Sequence, residues 1–134
     1  MEHIKWDDSL SINLSQFDDQ HKKLLYLINE FYTNVDTSSS EKLAKILTGL
    51  LEYTIDHFTS EEKHMVEYRY PDYKSHKKQH DLFILKINEF HDKFYSGSFF
   101  LPLRIKLFLK RWIVNHILQI DKKYAEFLHQ KFGK

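Results

Sequence analysis

Apolar positions recur at steps of three and four along four stretches of the chain, the period of a helix with one buried face. The first stripe follows His21 through Leu24, Leu25, Ile28, Phe31, Tyr32 and Val35. The run Thr37-Ser38-Ser39-Ser40-Glu41 interrupts it, and Ser38 followed three residues later by Glu41 predicts a capping box that opens the second helix. That helix repeats through Leu43, Leu47, Leu50, Leu51, Thr54, His57, Phe58, Glu61 and Met65. Tyr68-Arg69-Tyr70-Pro71 marks a break, with Pro71 suited to the first turn of a third helix because it lacks only an unneeded N–H. The third stripe reads Tyr73, His76, His80, Phe83, Ile84, Ile87, Phe90 and Phe94, and Ser96-Gly97-Ser98 stops it with Gly97 as a left-handed cap. Pro102 opens the fourth, which runs through Ile105, Leu109, Trp112, Ile113, His116, Ile117, Ile120, Tyr124, Phe127 and Leu128.

Long amphipathic helices joined by short connections favour antiparallel neighbours, so the expected class is all-α, an up-down-up-down antiparallel four-helix bundle. The expected organisation is one domain over 1–134, with an irregular arm at 1–16 anchored by Trp6 and the bundle at 17–132. Three glycines and two prolines in 134 residues leave few breakers, in keeping with long rods. Twenty basic against nineteen acidic residues give a formal charge of +1, which removes the electrostatic case for nucleic acid or an anionic membrane as the main partner. Zero cysteines exclude disulfides, thiolate metal sites and a cysteine nucleophile. The N-terminal residues Met1 to Asp8 carry no apolar signal-peptide core, and no run of about 18 apolar residues occurs. A soluble, cytoplasmic protein is expected.

The polar residues fall in unusual places. His21, His57, Glu61, His76, His80 and His116 all lie on the apolar stripes. One histidine on such a face is ordinarily a hydrogen-bonded core residue. The sum is different. Each unpaired buried polar group costs about 1–3 kcal/mol and a carboxylate more, against a net stability of about 5–15 kcal/mol for such a domain. Five imidazoles and two carboxylates in one core are tolerable if together they bind a metal. In an antiparallel bundle ligands at one level lie late in one helix and early in the next, as His21, His57/Glu61, His76/His80 and His116/Asp121 do. His57/Glu61 and His76/His80 are i, i+4 pairs that project from one face. His116 and Asp121 are i, i+5, about 140° apart on a regular helix, so the pair needs either side-chain reach or a π-bulge near Ile117–Ile120. His76 and Asp81 share that spacing, but Asp81 lies off the stripe.

Seven ligands exceed a four-coordinate zinc site, and five imidazoles argue against calcium and magnesium. Two octahedral-type ions bridged by the two carboxylates fit the count, and imidazole with carboxylate suits iron, with zinc or manganese as alternatives. Five histidines then divide as three and two. One bridging oxygen fills the first ion and leaves one open position on the second.

At these residues the chain resembles the hemerythrin family. The likeness spans Phe17-Asp18-Asp19-Gln20-His21, His57-Phe58-Thr59-Ser60-Glu61-Glu62, Tyr70-Pro71 ahead of His76 and His80, Trp112-Ile113-Val114-Asn115-His116, and Asp121-Lys122-Lys123-Tyr124. The resemblance implies a di-iron centre with a hydroxo or oxo bridge. In it His76, His80 and His116 would hold one iron, His21 and His57 the other, and Glu61 and Asp121 would bridge. It implies reversible binding of dioxygen at the His21/His57 iron, for storage, delivery or scavenging, with an oxygen-using enzyme as a possible recipient. Phe17, Leu24, Phe58, Phe83, Trp112, Ile113 and Ile117 would wall the site, which is also ordinary bundle core. One departure is Ile12-Asn13, where the family commonly has Val-Gly; Asn tolerates a left-handed backbone and would preserve the turn. His3, His64, His91 and His129 read as surface or supporting residues, and the Lys pairs at 22–23, 77–78 and 122–123 as solvated faces. Two other functions compete: a di-iron oxidase or peroxidase-type enzyme, against which the histidine-rich shell argues, and an oxygen- or iron-sensing module.

Overall fold

The structure is a computed structural model that describes residues 4–35, 38–93 and 101–132. Four helical rods fill it: α1 (Ser15–Asn34), α2 (Ser40–Glu67), α3 (Tyr73–Lys93), and a last rod made of α4 (Leu101–Asn115), a π-helical turn (His116–Asp121) and α5 (Lys122–Phe132). No strand occurs among the described residues, and the expected all-α bundle is what the chain forms. Its core is the four predicted stripes turned inward, with Phe31, Leu47, Ile87, Ile105 and Leu109 fully buried.

The element boundaries follow local chemistry. Ser39, not Ser38, caps α2: its side chain accepts from the Lys42 amide, while the Ser38 hydroxyl turns back to Asn34 at 3.1 Å. Three serines in a row offered the same signal, and the one with extended backbone directly before the helix takes it. At the other end of α2, Arg69 sits at φ 55 and Tyr70 donates its amide to the Met65 carbonyl at 2.9 Å. The Arg69 amide reaches the Val66 carbonyl at 3.2 Å, which completes a Schellman closure with arginine in the left-handed position. Pro71 lies in the turn that follows, two residues ahead of α3, so it steers the chain into the helix without belonging to its first turn. Pro102 does fall in the first turn of α4. The expected Gly97 cap and Phe94 lie outside the described residues.

The arm is more ordered than its lack of periodicity suggests. A 3-10 turn at Asp8–Leu10 is capped by Asp7, and α1 starts at Ser15, ahead of the first residue of its apolar stripe. Ile4, Leu10 and Ile12 are buried and anchor the arm, whereas Trp6 is half-buried under the Lys22 ammonium. Asn29 exchanges two hydrogen bonds of 2.9 Å with the Ile4 backbone, and Asp18 accepts from the Ser11 hydroxyl and the Ile12 amide. Asn13 has φ 60, so the turn at Ile12-Asn13 is made with a left-handed asparagine.

Candidate metal centre

All seven residues singled out from the sequence are buried, none more than 4% exposed, and they meet at one level of the bundle. α1 supplies His21, α2 supplies His57 and Glu61, and α3 supplies His76 and His80. The last rod supplies His116 and Asp121 from the two ends of the π-helical turn. The Lys122 amide donates to the Ile117 carbonyl there, five residues back, so the ladder is widened where the i, i+5 spacing asks for it. The decoy Asp81 is exposed and pairs with Lys77 at 2.9 Å.

The donor atoms divide into two groups, each within 4.8 Å, that share both carboxylates. Glu61 Oε1 lies 3.1 Å from His76 Nε2 and 3.2 Å from His80 Nε2, and Asp121 Oδ1 lies 3.0 Å from the Nε2 atoms of His76 and His116. The other oxygens face the other way. Glu61 Oε2 lies 3.2 Å from His57 Nε2 and 3.5 Å from His21 Nε2, and Asp121 Oδ2 lies 3.1 Å from His21 Nε2. Neighbouring donors on an octahedral ion at about 2.1 Å would stand about 3.0 Å apart, which is the spacing found here.

His76 Nε2 and Glu61 Oε1 are within hydrogen-bond geometry at 3.1 Å, but most of these contacts are close without being satisfied hydrogen bonds. His21 Nε2, Glu61 Oε2 and both Asp121 oxygens have no hydrogen-bond partner in spite of the short separations. His80 Nε2 and His116 Nε2 face one another at 3.0 Å. Lone pairs that crowd together while missing each other are aimed at common points. Two further side chains fix this aim. Gln20 Oε1 accepts from His57 Nδ1 at 2.6 Å and Glu62 Oε2 accepts from His80 Nδ1 at 2.8 Å, which leaves each Nε2 lone pair turned to the interior. Neither role was foreseen from the sequence, since both residues sit just off the stripes.

The charge of the cluster balances internally. Burial opposes a charged His21 and a charged His76, but the Asp121 and Glu61 carboxylates outweigh it and push them up to about 10 and about 9. Burial opposes charge on His80 as well, and Glu61 and Glu62 still raise it; on His116 burial prevails and lowers it. Burial also works against ionised Glu61 and Asp121. The imidazoles around them nevertheless hold both carboxyls below the ordinary range.

Rings close the surroundings. Phe58 stacks on His80 with centroids 3.8 Å apart, Trp112 stacks on His116 at 4.3 Å, and Phe17 meets His57 edge-on at 6.3 Å. Of the expected wall, Phe17, Leu24, Phe58, Phe83, Ile113 and Ile117 are buried and Trp112 is half-exposed. Among the other histidines, His64 Nδ1 hydrogen-bonds the Tyr124 hydroxyl and His91 Nε2 meets Thr48 Oγ1 at 2.9 Å. Neither enters the cluster.

The model of the hemerythrin HHE cation binding domain matches residues 13–128. The chain belongs to the hemerythrin family. It is 32% identical to a bacteriohemerythrin of Pseudomonas aeruginosa strain PAO1 over 134 residues, all of this chain and 87% of that one. A bacteriohemerythrin of Methylococcus capsulatus strain Bath is 32% identical over 116 residues, covering 87% of this chain and 88% of the relative. The crystal structure of a wild-type hemerythrin superposes with a TM-score of 0.86 at 29% identity, covering 93% of this chain and 97% of that one. Family membership and the buried His/Glu/Asp cluster together make this a cation-binding fold whose donor set suits a metal centre.

Proposed function

We propose that this hemerythrin-family chain holds two iron ions and binds dioxygen reversibly as a carrier or store. His76, His80 and His116 hold the first iron, His21 and His57 the second, and Glu61 and Asp121 bridge the two beside a hydroxo or oxo group. The observation that supports this best is the division of oxygens: each carboxylate turns one toward the three-histidine group and one toward the two-histidine group. Nine donors with one shared oxygen would supply six ligands to an ion on one side and five on the other, which would leave a place for a small ligand beside His21 and His57.

A ferrous pair supplies two electrons that dioxygen can take up and return. The chain decides whether they come back. Gln20 and Glu62 keep the Nδ1 protons of His57 and His80 pointed away from the centre. Phe17, Phe58 and Leu24 exclude water, which would otherwise bring protons that carry the electrons off as free peroxide. Five neutral imidazoles against two carboxylates stabilise high-valent iron less than a carboxylate-rich shell would, which favours carriage over oxidation chemistry. No helix among the described residues is long and apolar enough to cross a membrane.

The test is iron content with an absorption spectrum recorded in air and after deoxygenation. About two irons per chain and a visible charge-transfer band that disappears under vacuum and returns in air are expected. A chain that holds one ion, or whose band bleaches irreversibly while a substrate turns over, would overturn the carrier reading.

A further inference from the structure

A groove of about 680 Å³ runs between α3 and α4, and His116 forms part of its wall. Its volume lies in the range of small-molecule sites, about 300–1,000 Å³. Flat rings line it, Phe108 and Trp112 among them, and Lys86, Arg104 and Arg111 surround them. No acidic residue lines this groove among the described residues. Lys86 pairs with Glu89 at 3.7 Å and lies over the Phe90 ring at 5.1 Å, while Arg104 and Arg111 make no ion pair among the described residues. Exposed guanidinium groups beside aromatic faces suit a ligand that is both planar and anionic, because they can pair with a phosphate while the rings stack. A smaller depression of about 420 Å³, which Glu89 also lines, continues the groove past Phe108 and Trp112.

The position of this groove gives it a purpose. Trp112 lies parallel to His116, at 10° between ring planes and 4.3 Å between centroids. A ligand stacked on Trp112 is therefore a single indole ring away from His116 of the donor cluster, on the three-histidine side and away from His21 and His57. Any carrier whose ions slip to the ferric state needs electrons delivered without opening its oxygen site.

We propose that the groove is an electron-entry site that binds a planar aromatic phosphate able to carry two electrons, a reduced flavin phosphate. This rests on the di-iron reading for its redox half and on the groove alone for its binding half. In the step, the dihydroflavin gives one electron to each of two ferric ions and its two protons to solvent. It leaves as oxidised flavin, and no bond to the chain is made.

The probe is flavin mononucleotide, titrated into the full chain as purified and after metal removal. Trp112 fluorescence is followed in a Trp6→Phe background. Saturable quenching is expected in both forms, weakened about tenfold or more by the double substitution Arg104→Glu with Arg111→Glu, and unchanged by Lys110→Glu outside the groove. Lumiflavin, which lacks the phosphate, should bind about tenfold or more weaker. Unsaturable quenching, or equal affinity in the double variant, would overturn the site. The redox half is read by mixing oxidised, iron-loaded protein anaerobically with reduced flavin mononucleotide. Re-reduction should be about tenfold slower in the double variant, with helical circular dichroism unchanged, and equal rates would sink electron entry here. A chain found to carry no iron would fail the carrier reading while the titration still decided the groove.

Discussion

Gln20 and Glu62 show how much of a metal site rests on residues that never face it. Each takes the Nδ1 proton of a histidine and thereby sets which nitrogen offers its lone pair to the centre. Gln20→Ala and Glu62→Ala should each weaken metal retention about 10–100-fold with the fold intact, as read by chelator competition and circular dichroism. Glu62→Gln should fall between, since an amide oxygen still accepts the bond while the negative charge that raises His80 is lost. Six of the seven inward residues were legible because they break an apolar period, with Asp121 following from its place after His116; Gln20 and Glu62 were not legible. Gln20 precedes His21 by one residue, about 100° around the helix. That direction looks like solvent until a neighbouring helix brings His57 beside it. A role that depends on which helices face each other leaves no periodic trace.

At the scale of elements, the parts best anticipated were those whose spacing conflicts with a regular helix. The i, i+5 spacing of His116 and Asp121 calls for side-chain reach or a widened backbone, and the chain widens over His116–Asp121. The arm was poorly legible because three buried residues, Ile4, Leu10 and Ile12, follow no period. The end of α2 carries a testable compromise. Arg69 occupies the left-handed position of the Schellman closure, where a side chain with a Cβ costs about 1–2 kcal/mol. Arg69→Gly removes that strain but gives the unfolded chain more freedom, which returns about 0.4–1 kcal/mol. A net gain of about 0.5–1 kcal/mol is expected, read as a rise in the urea midpoint at unchanged slope. A loss would mean that the arginine side chain contributes more at this turn than its backbone costs.

For the molecule as a whole, the metal-free state should depend on pH in a way the loaded state does not. Without ions, protons on His21 and His76 offset Glu61 and Asp121. Both imidazoles titrate from 6.5 in the unfolded chain to about 10 and about 9 in the folded one. Below pH 6.5 both states hold these protons and the stabilisation is complete. Above it the unfolded chain gives them up first, so stability falls steadily until the folded values are passed. The carboxylates work in the opposite sense: their contribution is present above 4.5 for Glu61 and 3.8 for Asp121, and is lost as pH falls further. Chelator-treated protein should therefore show a urea midpoint that declines from about pH 6.5 toward pH 10, while His116, lowered by burial, works against folding at more acidic pH. Metal ions take the place of those protons, so loading should release protons near pH 7 and flatten the alkaline decline. The apolar core that holds Phe31, Leu47, Ile87 and Leu109 includes none of the cluster's residues, so helical circular dichroism should persist without metal near pH 6. A midpoint that stays level from pH 6.5 to 10 in the metal-free chain would mean that His21 and His76 are neutral there. The two carboxylates would then need another source of positive charge to remain ionised in the core.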